Sequence, residues 1–597
     1  MRDFASVWLS NVPSVLSDQH YRYPDPAGSA DFAIADSAFA LRINIIMNDR
    51  QPATPALEAD FVIVGAGSAG CILANRLSAN PAFSVILIEA GGADTHPFIH
   101  MPAGFINLMN NPALNWLYTS QPQPHLDGRN LAMPRGKVMG GTSSINGMLY
   151  VRGQSADYDD WAQAGNQGWS FSDVLPYFKK SVKTHISPDM LDTELHGFEG
   201  EMQINAPATR YDILDRVIEA AAELGYPAPT DYNGHAQTGF SYFQLTQKQG
   251  RRHSSYQAFL APVKGRKNLK IIMKKQAVKI AFSCDDTQKA DGIFLSDGHA
   301  EQFIRAHREV VLSAGAFGSP QLLELSGIGK ADRLKQLGIK VVADLPAVGE
   351  HLADHFLTRL SYRLKVDDSL NSRVSGVGLW RELIKYAFSG KGALTMPAGI
   401  VGGFVASPYA EPDVPDIQYH IAHASFANPA KRQFDSFPGL SIGPCQLRPH
   451  SRGHVHIASA SPFDAPHIQP NYLADERDRQ VLLAGIAIAR ELMQSTVMAP
   501  VIEAETRPGA GIISDNELMA FVRETGNTVY HPVSTCRMGP EDQADHVVTP
   551  DLKVRQIRNL RVADASIMPS ITSGNTHAPT MMIAEKAADM ILASHRT

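Results

Sequence analysis

Gly65, Gly67 and Gly70 stand in the spacing G-x-G-x-x-G, with Ser68 and Ala69 between the last two. The chemistry that needs this pattern is the binding of a pyrophosphate. The first glycine permits a tight turn, the second lets the backbone approach the phosphates, and the third lets the following helix pack close on its strand. Glu89 lies about 20 residues farther on, where the ribose hydroxyl of a bound adenosine needs an acceptor. Far along the chain, His531 sits between Tyr530 and Pro532. Imidazole is the side chain whose ordinary pKa lets it take a proton near neutral pH. A single histidine beside a proline is more often structural, so its surroundings have to carry the case for chemistry.

The elements that must position these residues are legible around them. Phe61-Val62-Ile63-Val64 runs into the glycines as a short buried strand, and Ile72, Leu73 and Leu77 recur at helical spacing after them. Val85-Ile86-Leu87-Ile88 reads as the next parallel strand and ends at Glu89. Strand, turn, helix, strand and acid in this order predict an adenine dinucleotide site, which the glycines alone would not. Gly136 to Gly147 is a run of glycine and small hydroxyl residues. It suits close approach to a flat polar ring or to phosphates, and a tight surface loop fits it equally well.

A long proline-rich excursion, Pro97 to Pro134, precedes that run. Asp157 to Val182 alternates aromatics with acids, ends in a helical pattern and reads as packing. Tyr211 to Leu224 predicts a helix stopped by Gly225 and Pro227. Leu269 to Phe282 and Gly292 to Phe303 predict strands of an antiparallel layer. Glu309 to Gly315 predicts a buried strand returning to the nucleotide sheet, and Ser319-Pro320 the opening of the next helix. From about 356 to 525 alternating strands and prolines predict a substrate-binding layer, with a helix over Ile486 to Met493. Leu560 to Ala565 is a short strand ending at Asp564. Ser573 to Thr580 then leads into a last helix, with Pro579 in its first turn.

At 597 residues the chain exceeds what one core usually holds. A hydrophobic fraction of 44% and a charged fraction of 19% describe a folded globular protein, and a net charge of −6 gives no reason to expect nucleic acid. Cys71, Cys284, Cys445 and Cys536 are far apart, which argues against a disulfide framework or zinc site and suits a reducing, cytoplasmic compartment. No signal-peptide pattern is present, and Phe32 to Met47, interrupted by Asp36 and Arg42, is too short to span a bilayer. Peripheral association with an inner membrane stays open, as does the oligomeric state. Residues 1–56 are expected to be disordered or not native, with Met47 as the natural start.

Together these segments resemble the glucose-methanol-choline (GMC) family of FAD-dependent oxidoreductases, especially its choline-dehydrogenase-like members, from about residue 58 to the end. The signatures are Gly136 to Gly153, Gly315 to Gly329, Tyr530-His531-Pro532 through Gly539, and Asp564 through Asn575. The resemblance implies an α/β (overall α+β) fold. A Rossmann-type FAD-binding domain, 57–355 and 526–597 with excursions at about 97–240, would be interleaved with a substrate-binding domain, 356–525, on a mixed or antiparallel sheet. It places Gly65, Gly67, Ser68, Ala69 and Gly70 at the pyrophosphate and Glu89 at the adenosine ribose. Gly141, Thr142, Asn146, Gly147 and Met148 fall on the flavin side, and the backbone at Val278 on the adenine. Asp564 and Ala565 fall by the ribityl and pyrophosphate. His531 matches the family's active-site histidine and Asn575 its partner, near the isoalloxazine. Ile145 stands where some members carry a histidine bonded to FAD, so the cofactor is expected to be non-covalent. His577, often asparagine in relatives, is expected to be a packing residue.

The implied chemistry is oxidation of a primary alcohol to the aldehyde, with hydride passing to flavin N5 and His531 as base. The partners are then a small alcohol and an electron acceptor, either dioxygen or a quinone-type compound. An NAD dehydrogenase would use the same glycines and Glu89 but leave the later signatures without purpose. A non-redox cyanohydrin lyase and a fatty-acid photodecarboxylase on the same scaffold are the alternatives.

Overall fold

In the computed structural model, residues 55–595 are described, apart from 375, 398 and 429–432. The expectation for the N-terminal extension therefore lies outside the described residues up to residue 54, and the Ala56 N–H donates to Phe303 O beside the first strand.

The strand Leu57–Val64 is central because its Val/Ile run is buried on both faces, as a parallel strand covered by helices must be. It pairs in parallel with Val85–Glu89 on one side and Glu301–Leu312 on the other. Leu269–Met273 extends the sheet in parallel beyond Val85–Glu89, and Leu560–Val562 adds in parallel to Glu301–Leu312. The 12-residue strand Glu301–Leu312 also has a second use. Its N-terminal half pairs antiparallel with Ala290–Ser296, which pairs in turn with Gln276–Phe282. The stretch expected as one antiparallel strand, Leu269 to Phe282, is thus two strands in different company. Lys274, at φ 59°, lies between them and redirects the chain.

The helix Ser68–Leu77 rises from the glycine turn and packs on the last helix, His577–Ser594, within one shared core. The helix Gly315–Leu325 begins four residues before Ser319-Pro320, earlier than the proline suggested. The Asp564 carboxylate draws its start back by accepting from the Gly315 N–H (2.8 Å) and the Ser319 hydroxyl (2.6 Å). Pro320 has no N–H for the carbonyl of Ala316. The Thr535 hydroxyl donates to that oxygen instead, at 2.6 Å, which ties the loop carrying His531 to this helix.

A second sheet is antiparallel throughout. Its order is Ile502–Arg507, Leu360–Leu364, Gly439–Gln446, Ile417–Ala422, Val401–Val405 and Gly239–Tyr242. The last of these strands comes from the excursion before residue 240, so the chain reaches this sheet before its main run of strands. Phe356–Leu357 pairs with both Gly439–Gln446 and Asn527–Thr528, and the latter leads directly to His531. Helix Glu476–Gln494 covers this sheet over a separate core. No helix among the described residues is long and apolar enough to cross a membrane.

Candidate active site

A single cavity is lined from both sheets. Its walls include the glycine turn and Glu89, Thr142 to Met148, Asp564 and Ala565, and then His531, Asn575, His420 and Arg359. At the turn, Gly65 has φ +98°, and a Cβ there would lie 2.5 Å from the Ser313 carbonyl oxygen. A Cβ on Gly70 would lie 1.8 Å from the Gly65 oxygen, so this glycine lets the helix close on its own turn. Gly67 differs: a Cβ there would meet no protein atom within 4 Å, because the position opens on the cavity. Its other side is tight, for a Cβ on Gly141 would come within 2.7 Å of the Gly67 Cα. A glycine with free space before it and backbone behind it is what close approach of a phosphate requires.

Ser68 and Ala69 line the same cavity. The buried Glu89 carboxylate accepts from the Ala66 N–H (2.9 Å) and the Gly91 N–H (2.8 Å), and each oxygen keeps a lone pair. Burial pushes its pKa up to about 7. Val278 is buried at a β-bulge, out of register with the facing strand, while the adjoining Ala277 lines the cavity. In the hydroxyl-rich loop, Thr142 Oγ1 accepts from the Gly136 N–H. Buried Arg252 donates to Asn146 Oδ1 (2.6 Å) and Ser143 O, which fixes the loop beneath Gly147 and Met148. Ile145 packs with Ile99, Leu108, Leu114 and Val138.

The structure brings His531 and Asn575 together, with Nε2 of the imidazole 3.1 Å from Nδ2 of the amide. Two buried residues that the sequence reading passed over hold His531. Asp354 accepts from the His531 backbone N–H (2.7 Å), the Thr528 hydroxyl (2.6 Å) and the Tyr472 hydroxyl (2.5 Å). His355 places Nδ1 at 3.0 Å from Nδ1 of His531 and Nε2 at 2.9 Å from the Leu447 carbonyl oxygen. A carbonyl only accepts, so His355 donates from Nε2. Burial lowers its pKa to about 4, so the ring is neutral and its Nδ1 carries a lone pair. His531 must then donate from its own Nδ1. Burial and the neighbouring cationic or imidazole groups hold the His531 pKa well below its usual value. The neutral ring therefore keeps a bare Nε2, turned toward Asn575.

Asn575 is held from its other side. Gln418 Nε2 donates to its Oδ1 at 3.3 Å, which orients the amide with its nitrogen toward His531. The preceding loop is tied down by Asp157, which accepts from the Ser573 N–H (2.7 Å) and hydroxyl (2.8 Å) and pairs with Arg448. The stretch read as packing thus contains a carboxylate that sets the partner of His531. His577 opens the last helix, and its Nε2 lies 3.1 Å from the Ser255 hydroxyl.

Two stretches, residues 59–357 and 449–584, match the family models described as GMC oxidoreductase. The chain belongs to the GMC oxidoreductase family. It is 41% identical over 540 residues to an alcohol dehydrogenase [acceptor] of Pseudomonas putida, covering 89% of this chain and 95% of that one. It is 39% identical over 546 residues to the mitochondrial choline dehydrogenase of Homo sapiens, covering 89% and 90%. Among solved structures it resembles pyridoxine 4-oxidase from Mesorbium loti, with a TM-score of 0.80 and 30% identity over 90% of this chain and 100% of that one. An Aspergillus oryzae formate oxidase studied for FAD modification superposes with a TM-score of 0.83 at 28% identity, over 91% and 99%. This GMC oxidoreductase is FAD-dependent. The open position at Gly67 and the acceptor at Glu89 fit a dinucleotide in the same cavity that His531 lines.

Proposed function

We propose that the protein oxidises a primary alcohol to its aldehyde, with His531 as the base. The observation that carries this reading is the tautomer relay from Leu447 O through His355 to His531, which leaves an unprotonated Nε2 facing the cavity. FAD, when bound, supplies the hydride acceptor. The Gly65–Gly70 turn, Glu89 and Asp564 would hold its dinucleotide portion, and Ile145 supports non-covalent attachment because isoleucine has no nucleophile.

The alcohol O–H donates to Nε2 of His531. The alcohol takes the place of the Asn575 N–H at Nε2, and that N–H turns to the substrate oxygen and holds it. The proton moves to Nε2 as hydride leaves the carbinol carbon, so the substrate loses two electrons and two hydrogens and the carbonyl forms. The imidazolium is then stabilised at Nδ1, whose N–H already faces the lone pair of His355. Removing this base should cost about 10²–10⁴ in the rate of the step. The test is anaerobic reduction of the bound flavin by a panel of primary alcohols, comparing wild type with His531→Ala and Asn575→Ala. Both variants should stay yellow and bleach slowly; an undiminished rate in H531A removes His531 from the mechanism.

A further inference from the structure

We propose that Arg359 is the anion-recognising residue of the alcohol site, and that the preferred substrate is a hydroxy acid or a comparable anionic alcohol. The proposal rests on the alcohol-oxidising reading above and names its substrate class.

Arg359 lies in the two-residue link between Phe356–Leu357 and Leu360–Leu364. Its neighbours Thr358 and Leu360 are fully buried, while Arg359 retains accessible surface. That surface faces the cavity, which Arg359 lines together with His420 and His531. Arg359 is exposed where the residues on either side are buried, and desolvation holds its pKa below the usual guanidinium range. Its stem packs against the second sheet, where a Cβ on Gly443 would lie 3.2 Å from Arg359 Cγ.

Several buried arginines have protein partners, although Nη2 of Arg252 has none among the described residues. Arg561 pairs with Glu309, Arg152 donates to Leu195 O and His196, and Arg252 binds Ile99 O, Ser143 O and Asn146. Arg135, beside the same loop, donates to Tyr530 O. Arg359 has no hydrogen bond or ion pair among the described residues. A guanidinium whose donors are open to a cavity and taken by no protein acceptor is free to bind a ligand's negative charge.

The surroundings do not supply that charge. His420 is neutral, with its pKa lowered to about 3 by burial and by Arg359 itself, and its Nε2 has no partner among the described residues. Cys445 stays protonated because burial pushes its thiol up. Asp354 is committed to Tyr472, Thr528 and the His531 N–H, and the cation that lowers its pKa is Arg135. Arg359 links two strands of the antiparallel sheet and lines the cavity together with His531, whereas the glycine turn belongs to the parallel sheet. A planar fork of donors at such a place matches a carboxylate, and a fixed cation there repels a quaternary ammonium. Choline is therefore disfavoured.

The test compares the holoenzyme, R359Q and R359K on a series of ω-hydroxyalkanoates, each against the n-alkanol of the same carbon number. The matching n-alkanoates are titrated both as inhibitors and as perturbants of the flavin spectrum. Wild type should show higher kcat/KM for the acid at one or more chain lengths. R359Q should lower the acid-to-alkanol ratio about ten- to a hundredfold, with R359K retaining part of it. Inhibition and spectral perturbation by alkanoate should vanish in R359Q. Equal or better use of every alkanol by wild type, with no alkanoate effect, would overturn the proposal. Loss of FAD from R359Q would overturn it too, by making Arg359 a cofactor residue. An Arg359-dependent alkanoate effect without turnover of any alcohol or hydroxy acid would uphold the anion site while sinking the alcohol reading.

Discussion

His355 and His531 face each other through their Nδ1 atoms, 3.0 Å apart, with ring planes at 86°. Only one of two such nitrogens can donate, and the Leu447 carbonyl decides which. The tautomer of His531 is thereby set by a backbone oxygen two imidazoles away.

This makes His355 a positioning residue with a specific substitution pattern. In H355Q, the amide N–H can donate to Leu447 O while the amide oxygen accepts from His531 Nδ1, so flavin reduction should stay within about tenfold of wild type. H355L removes the acceptor and should slow the step by about 10²-fold or more. Its acid limb should also move relative to H355Q. Equal rates and pH profiles for the two variants would show that the relay is only packing.

The pH dependence follows from the direction of the His531 shift. A base held well below its usual pKa stays unprotonated across the neutral range, so kcat/KM should be flat there. It should fall only at pH values well under 6.5, as Nε2 is protonated. An acid limb centred near 6.5, measured in rapid-mixing reduction, would contradict the buried, neutral imidazole.

Stability should fall with acid through a wider set of groups. His253, His355 and His577 are held near 4, and His420 and His423 near 3, all by burial. Below pH 6.5 the unfolded chain binds protons at these histidines and the folded chain does not, so each contributes a loss of about 1.4 kcal/mol per pH unit. The loss runs from 6.5 down toward the folded value. Glu89, raised to about 7, works the other way between 7 and 4.5. Thermal unfolding should shift to lower temperature from pH 7 to pH 5; a rise in Tm would be inconsistent with these burials.

The glycines of the turn divide by what they leave room for. Gly67→Ala adds a methyl group that meets only the cavity, so the FAD-stripped protein should melt as wild type while FAD binds more weakly. Gly70→Ala drives a methyl group into the Gly65 carbonyl and should cost about 1–3 kcal/mol of stability in the stripped protein. Calorimetry of stripped protein and fluorescence titration with FAD separate the two.

What was legible in the chain is what is local. The glycine turn, Glu89 and the helix after them occupy one contiguous βαβ unit, and the spacing of their residues carries their geometry. His531 and Asn575 were reachable through ordered signatures, and the structure joins them over 44 residues. Asp354 and His355 were passed over because an Asp-His pair at the start of an apolar stretch has no periodic meaning. Their role exists only through contacts 177 and 176 residues away. Arg359 shows nothing in sequence that separates it from a solvated surface arginine. The early start of the helix Gly315–Leu325 was missed for the same reason, since its cap, Asp564, comes 249 residues later.

The strand Leu560–Val562 and the helix His577–Ser594 are the last pieces of a sheet and core whose first strand is Leu57–Val64. A nascent chain on the ribosome can fold its early segments in order of emergence. It cannot close the pocket until Asp564, Asn575 and that final helix have cleared the exit tunnel. Flavin binding should accordingly require the segment from Asp564 through the helix His577–Ser594, and a chain stopped before Asp564 should purify colourless.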